Sequence, residues 1–447
     1  MTPKIVATND TIVAPASGSG LAAVAVIRIS GPATRDMLGA FCGGVPPPRH
    51  AALRDIGPPQ RVIDRGLVLW FPAPSSFTGE DMAELHVHGS RAVIRAAIEA
   101  LLTLPATRLA EPGEFARRAF ENGKLDLTEV EGLADLISAE TEAQRRQALA
   151  QAEGSLRALY EGWRRELLQA QAVVEAGLDF ADEGDVVADV SLKADVIVAS
   201  LRAAIARQLA DRSGERLRDG LRVVIAGPPN AGKSSLLNAL AKRDVAIVSE
   251  EAGTTRDVIE VHLDLGGLPV ILTDTAGIRE AQGKVEAEGI RRALARAETA
   301  DLVLWLVDAT APQWILTDGL EQVGHGPERF VSVLNKIDLV KPQAGLADVS
   351  VSAKTGAGQD ALIALLADRA GELLSSGAGT PAITRTRHRI ELEAGQAALE
   401  RFGDPKLSPE LKAEELRIAA RHLGRLTGRI DVEEVLGAIF AEFCIGK

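Results

Sequence analysis

The most specific chemistry in the chain sits in one short run. Gly227-Pro228-Pro229-Asn230-Ala231-Gly232-Lys233-Ser234 fits the pattern G-x-x-x-x-G-K-[ST]. An apolar run, Leu221–Ala226, precedes it and a helical stretch, Ser235–Leu240, follows, which is the setting such a loop needs. Backbone N–H groups of the loop and of the helix N-terminus then face phosphates. Lys233 adds positive charge at the β- and γ-phosphates, and Ser234 offers a hydroxyl to Mg²⁺.

The companion loops follow in the order of a GTPase. Asp274-Thr275-Ala276-Gly277 closes a strand, where Asp274 can hold Mg²⁺ through water and the Gly277 N–H can sense the γ-phosphate. Asn335-Lys336-Ile337-Asp338 closes another. The Asp338 carboxylate is a two-oxygen acceptor for the guanine N1–H and exocyclic amine, a pair that adenine cannot supply. Ser352-Ala353-Lys354 adds a loop that packs on the base, and Thr255, in Gly253-Thr254-Thr255-Arg256-Asp257, is the switch threonine closing on Mg²⁺. Together these loops specify GTP rather than ATP.

The residue after Gly277 is Ile278, whose side chain cannot orient a water. Glu286 is a candidate for that task; solvated surface charge is the alternative reading for it and for Glu280 and Glu288. Arg256 and Arg279 could neutralise developing charge, though surface ion pairs are the commoner use of such residues. The Asn230 amide oxygen offers another route, by holding a monovalent cation against the phosphates.

These residues need a scaffold. Leu221–Ala226, Val270–Thr273, Asp301–Val307, Phe330–Leu334 and Asp348–Ser352 read as strands alternating with helices, which predicts a doubly wound, mostly parallel sheet ending at the linker Ser375–Pro381. Upstream, Leu21–Ser30 and Leu67–Phe71 read as buried strands and Ser90–Leu104 as a helix, with loops at Gly43–Pro48 and Pro58–Pro59, an α+β texture. Leu125–Val174 lacks proline and is rich in helix formers. Its stripe of Leu133, Leu136, Ile137, Leu149, Leu156, Leu159 and Trp163 reads as core packing of long helices. Arg387–Phe402 and Pro409–Leu426 are amphipathic, and Asp431 with Glu434 forms a capping box opening a last helix through Phe443.

The simplest arrangement joins the late helices to the early ones. The expected fold class is multidomain α/β plus α. An N-terminal α+β domain spans 1–123, a discontinuous helical domain spans 124–219 and 379–447, and a P-loop G domain is inserted at 220–378.

Composition narrows the function classes. The 447 residues suggest two to three domains. Lys and Arg number 50 against 62 Asp and Glu, a net charge of −12, which argues against a wide nucleic-acid footprint but not against a local basic patch. Scarce aromatics argue against a stacking platform. Cys42 and Cys444 cannot build a disulfide framework, and neither a leader pattern nor a spanning apolar run is present, so a soluble cytoplasmic protein with no membrane partner is expected. His86 and His88 share one strand face without a third ligand cluster, so zinc is not expected.

Further short motifs lie outside the nucleotide loops. They are Asp10-Thr11-Ile12-Val13-Ala14, Ile27-Arg28-Ile29-Ser30-Gly31, Ser76-Phe77-Thr78-Gly79-Glu80-Asp81, Glu84-Leu85 with His88-Gly89, Gly113-Glu114-Phe115 through Ala119-Phe120, Lys124-Leu125-Asp126-Leu127 and Cys444-Ile445-Gly446-Lys447. With the G motifs, the chain resembles the bacterial tRNA-modification GTPases of the MnmE (TrmE) family nearly end to end. Three domains are implied: an N-terminal tetrahydrofolate-binding and dimerisation domain, a discontinuous helical domain and an inserted G domain.

The resemblance implies GTP contacts at Asn230, Ala231, Gly232, Lys233, Ser234 and Ser235, then at Ser249, Glu250, Glu251, Ala252, Gly253, Thr254 and Thr255. They continue at Asp274, Thr275, Ala276 and Gly277, at Asn335, Lys336, Ile337 and Asp338, and at Ser352, Ala353 and Lys354. Mg²⁺ would be held by Ser234 and Thr255, and K⁺ by Asn230 with Ser249, Glu251 and Thr254. Glu286 would be the catalytic, water-orienting residue. Potassium and a contact between the G domains of a homodimer would replace the arginine finger.

Arg28, Glu84, Lys124 and Lys447 match the family's folate site, for 5-formyl- or methylene-tetrahydrofolate, and Cys444 is a candidate modification-site residue. The implied reaction adds a carboxymethylaminomethyl or aminomethyl group to C5 of the wobble uridine of certain tRNAs. An FAD-binding MnmG-type partner would join it in a heterotetramer. Pro228 and Gln282-Gly283-Lys284 depart from commoner family forms, which bears on rate. Two other readings are a regulatory or ribosome-assembly GTPase, and an N-terminal region serving dimerisation alone.

Overall fold

The computed structural model describes residues 10–18, 20–179, 184–247, 260–274, 300–311, 329–341, 345–374, 381–430, 433–441, 443 and 446. They fall into two compact units. The first comprises Met1–Ala134, Gln151–Arg202 and Ala394–Lys447; the second comprises Asp135–Ala150 and Ala203–Glu393.

In the first unit, β1 (Thr11–Pro15), β2 (Ala22–Ser30), α1 (Thr34–Phe41), β3 (Ala52–Ile56), β4 (Asp64–Phe71), β5 (Met82–Gly89), α2 (Arg91–Leu101), β6 (Thr107–Leu109) and α3 (Glu114–Glu121) follow one another. The sheet runs β3-β4-β5-β2-β1-β6. Only the β1–β6 pair is parallel. Residues at alternate positions of β2, β4 and β5, among them Ala25, Ile27, Ile29, Val68, Trp70, Leu85 and Val87, form one core with Met37, Leu38 and Phe41 of α1 and Ala97 and Leu101 of α2. The Ser90 hydroxyl caps α2 by accepting the Val93 N–H at 3.2 Å.

Three helices follow, α4 (Leu127–Ser138), α5 (Glu142–Ala152) and α6 (Ser155–Asp179). Their breaks correct the expected continuous stripe. Leu156 and Trp163 are buried, but Ile137 and Leu149 are exposed, because each break resets the helical phase. After α7 (Gly184–Ala210), α8 (Ser213–Asp219) leads into the second unit's sheet.

That sheet contains β7 (Leu221–Ala226), with α9 (Lys233–Leu240) after it, then β8 (Glu260–Leu265), β9 (Leu268–Asp274), β10 (Leu302–Asp308), β11 (Phe330–Asn335) and β12 (Val349–Ser350). The order is β12-β11-β10-β7-β9-β8, parallel except for β8. The mostly parallel sheet was expected and β8 was not. Its signal is plain in retrospect: Val261, Leu263 and Leu265 alternate inward, and Gly266-Gly267, at φ 65° and 90°, make the tight hairpin turn to β9. The core of this unit gathers Val223 and Ile225, Leu236 and Leu240, Leu304 and Leu306, and Val333.

The remaining helices are α10 (Gln359–Leu374), α11 (Thr386–Phe402), α12 (Pro409–Leu426) and α13 (Glu433–Ala441). Helix α12 packs on α6 and begins where expected, because the Ser408 hydroxyl accepts the Leu411 N–H and Pro409 occupies the first turn. Asp431 of the expected capping box lies outside the described residues. Among the described residues no helix is long and apolar enough to cross a membrane.

Candidate guanine-nucleotide site

Strand β7 lies between β10 and β9, so the sheet order reverses on either side of it. Open α/β sheets place ligands at the carboxyl ends of strands beside such a reversal. Here the chain leaves β7 through Gly227, whose φ is 143° and whose added Cβ would lie 2.1 Å from the Leu306 carbonyl oxygen. Only glycine allows that approach. Asn230 takes a left-handed φ of 61°, and Gly232, at 97°, opens α9. Lys233 Nζ arches back over the loop and donates to the carbonyls of Gly227 and Pro228 at 3.0 and 3.1 Å. Ser234 and Ser235 fall in the first turn of α9, its positive end.

The Asn335–Asp338 loop is tied to this one by a single buried amide. Asn335 Nδ2 donates to the Ala231 carbonyl at 2.8 Å, and Asn335 Oδ1 accepts the Ala353 N–H at 3.0 Å. Three expected loops therefore meet at one side chain. Asp338 Oδ1 accepts the Ser352 hydroxyl at 2.6 Å, and the same hydroxyl oxygen accepts the Thr355 N–H at 3.1 Å. Ile337 N–H reaches the Val351 carbonyl at 3.3 Å.

Sequence reasoning passed over Asp308, at the end of β10. Its Oδ2 accepts from Lys336 Nζ at 2.7 Å, and its Oδ1 accepts both the N–H and the hydroxyl of Thr310. Partial burial alone would raise the Asp308 carboxyl, but the Lys336 and Thr310 hydrogen bonds outweigh it and hold the group below the usual carboxylate range. The only signal in the sequence was an acid at a strand's carboxyl end.

The expected residues 249–255, with Ser249, Glu250, Glu251, Ala252, Gly253, Thr254 and Thr255, lie outside the described residues. So do Thr275, Ala276, Gly277, Ile278 and Glu286. Asp274 is described through its backbone alone, which pairs with Ile225 of β7 and so stands beside the loop that follows β7. For Mg²⁺ the fit rests on donor chemistry: the Ser234 hydroxyl and the strand-end Asp274 carboxylate are hard oxygen donors. For K⁺, Asn230 is exposed at the loop's left-handed turn.

The first unit brings together part of the expected folate set. Arg28 Nη2 and Nε donate to Glu84 Oε1 at 3.0 and 3.2 Å, and Nη1 donates to the Gly446 carbonyl at 3.3 Å. The guanidinium lies over the rings of Phe77 and Phe115, 5.8 and 5.7 Å from their centroids. Gly446 is packed so closely that an added Cβ would lie 2.0 Å from the Pro15 carbonyl oxygen. Cys444 and Lys447 lie outside the described residues. Lys124 Nζ donates to the Pro74 carbonyl at 2.9 Å, on the loop that carries Phe77.

Beside this set is a buried ionic network that sequence reasoning missed. Arg118, 3% exposed, donates to Asp10, Glu80 and Glu114, and Arg108 pairs with Asp10 and Glu114. Ser30 Oγ donates to Glu80 at 2.7 Å. Burial alone would raise the Glu114 carboxyl, but hydrogen bonds from Arg108, the Glu111 N–H and Arg118 hold it low.

Comparison with known proteins agrees with this arrangement. Residues 127–444 match the family model "MnmE helical domain", and residues 11–124 match "GTP-binding protein TrmE N-terminus". The chain is 54% identical to the tRNA modification GTPase MnmE of Parvibaculum lavamentivorans, over 98% of this chain and 100% of that one. It is 52% identical to the protein of the same name from Beijerinckia indica, over 99% and 97%. With that similarity running almost end to end, and a P-loop sheet in the second unit, the chain belongs to the MnmE family of tRNA modification GTPases.

Proposed function

We propose that this chain hydrolyses GTP and couples the hydrolysis to modification of the wobble uridine of certain tRNAs. The observation that carries the guanine reading is the Asn335 amide, which holds the phosphate loop at Ala231 and the base loop at Ala353 in one rigid frame around Asp338. In this reading residues 230–235 cradle the phosphates, and Asp338 accepts from the guanine edge. Ser234 and Thr255 hold Mg²⁺, which supplies charge neutralisation at the β- and γ-phosphates. Asn230, with backbone carbonyls of Ser249, Glu251 and Thr254, holds K⁺, and Glu286 orients the attacking water where Ile278 cannot.

The one-carbon chemistry belongs to the first unit. Arg28, Lys124 and Lys447 would pair with folate carboxylates, and Glu84 would accept from the pterin N–H groups. The Arg28–Glu84 pair and its Gly446 contact support that reading. In it the protein is a cytoplasmic homodimer with three domains divided near residues 123, 219 and 378. It works with an FAD-binding MnmG-type protein on tRNA, and Cys444 stands at the modification site.

Nucleoside analysis of tRNA from cells lacking the chain tests the function: loss of the C5-modified wobble uridine is expected, and an unchanged profile would overturn it. Within the hydrolytic step, Glu286→Ala should leave GTP affinity nearly intact and lower turnover by a factor on the order of 10². Replacing K⁺ by Na⁺ should slow hydrolysis; insensitivity to the cation would remove Asn230 from its assigned role.

A further inference from the structure

Lys336 stands two residues before Asp338, the carboxylate assigned to the guanine edge. A flexible ammonium that close to an unliganded carboxylate is a natural competitor for it. Yet among the described residues Asp338 forms no ion pair. Its Oδ1 is held by the Ser352 hydroxyl, while Lys336 Nζ is bound to Asp308.

The Asp308 carboxylate is well fixed for that task. One oxygen is held by the Thr310 N–H and hydroxyl at 2.9 and 2.8 Å, leaving the other for the ammonium. In the parallel register Asp308 lies opposite Asn335, and the Ala309 N–H donates to the Asn335 carbonyl at 2.8 Å. The anchor therefore stands on the strand paired with the one that carries the guanine loop. Lys336 itself has a left-handed backbone, φ 65°.

We infer that Asp308 is a positioning residue for guanine recognition: it holds the Lys336 ammonium away from Asp338, so that the Asp338 carboxylate stays open to the base. The inference rests on the guanine reading of the site. Without Asp308, Lys336 pairs with Asp338, and that pair must break each time a nucleotide binds. The loss falls on binding of GTP and GDP alike and not on cleavage of the phosphoanhydride.

The test is a double-mutant cycle on the full chain, read as the affinity for a fluorescent GDP. Asp308→Asn should weaken GDP roughly tenfold, the scale of a partly buried charge-assisted hydrogen bond, and raise KM for GTP while kcat at saturation holds. In a Lys336→Met background the same change should have no further effect. Asp308→Glu, which keeps the anion, should recover most of the affinity and guards against a folding defect in the amide variant. Wild-type-like affinity in Asp308→Asn overturns the inference, as does an equal loss in the Lys336→Met background, which would make Asp308 a scaffold residue only. A wild-type chain that fails to bind GDP overturns the guanine reading itself and the inference with it.

Discussion

Replacing Asn335 by alanine removes one side chain and two hydrogen bonds that join separate loops. Its amide donates to the Ala231 carbonyl at 2.8 Å and accepts the Ala353 N–H at 3.0 Å. The side chain is 1% exposed, so bulk solvent does not reach either bond in the folded protein. A buried backbone group left unpaired costs about 1–3 kcal/mol, so the two together cost about 2–6 kcal/mol. The amide also backs Gly232, where even an added Cβ would meet Asn335 Nδ2. Its loss therefore loosens the start of α9 as well. If about a third of the loss falls on holding the two loops ready for nucleotide, the GDP dissociation constant rises roughly three- to thirtyfold. Denaturant unfolding without nucleotide reads the first quantity and GDP titration the second. Asn335→Asp is the sharper variant: it keeps an acceptor for Ala353 but sets an oxygen against the Ala231 carbonyl. Stability within about 0.5 kcal/mol of wild type, with affinity within about twofold, would refute the bridge as an organising element.

Two further outcomes follow from buried charge in the first unit. Asp126 caps α4, accepting from the Thr128 hydroxyl and the Glu129 N–H, while its other oxygen is buried without a partner. Burial pushes its carboxyl from 3.8 to about 6, against the lowering effect of those hydrogen bonds. A raised folded value means stability present below the ordinary value and lost as pH rises through about 6, a loss of roughly 3 kcal/mol in all. Asp126→Asn should therefore be more stable than wild type at pH 7 and flatten the dependence between pH 4 and pH 7, measured by denaturant unfolding. Arg118→Met leaves Asp10 and Glu114 to Arg108 and leaves Glu80 with the Ser30 hydroxyl but no guanidinium, and should cost about 3–5 kcal/mol. Because Asp10 and Glu114 titrate below their ordinary values, that stabilisation is present above the ordinary carboxylate range and lost as pH falls through the lowered values. The variant should show a shallower acid limb in the same assay.

What was legible in the sequence follows distance along the chain. The Gly227–Ser234 and Asn335–Asp338 runs are consecutive residues, each placed at a strand's end, so their positions could be read directly. Helix α12 was equally legible, since Ser408 and Pro409 mark its start. Strand β8 carries alternation and a Gly-Gly turn, but as a half-buried edge strand it lacks the continuous apolar run that marks the buried parallel strands. The stripe through Ile137 and Leu149 misled because helical periodicity carries no memory across a break. Ionic partners were not legible at all. Asp308 and Lys336 lie 28 positions apart, and Arg118 and Asp10 lie 108 apart. Only the sheet register and the docking of α3 bring such pairs together.

Phosphate release by the purified chain, with GTP or ATP as substrate in K⁺ and Mg²⁺, tests the guanine site most directly. Release from GTP, suppressed by GDP and untouched by ADP, with negligible turnover of ATP, is the expected result. Comparable hydrolysis of ATP, or GTP hydrolysis that ADP suppresses as well as GDP does, would contradict the assignment of Asp338 and its supporting loops as a guanine-selective site.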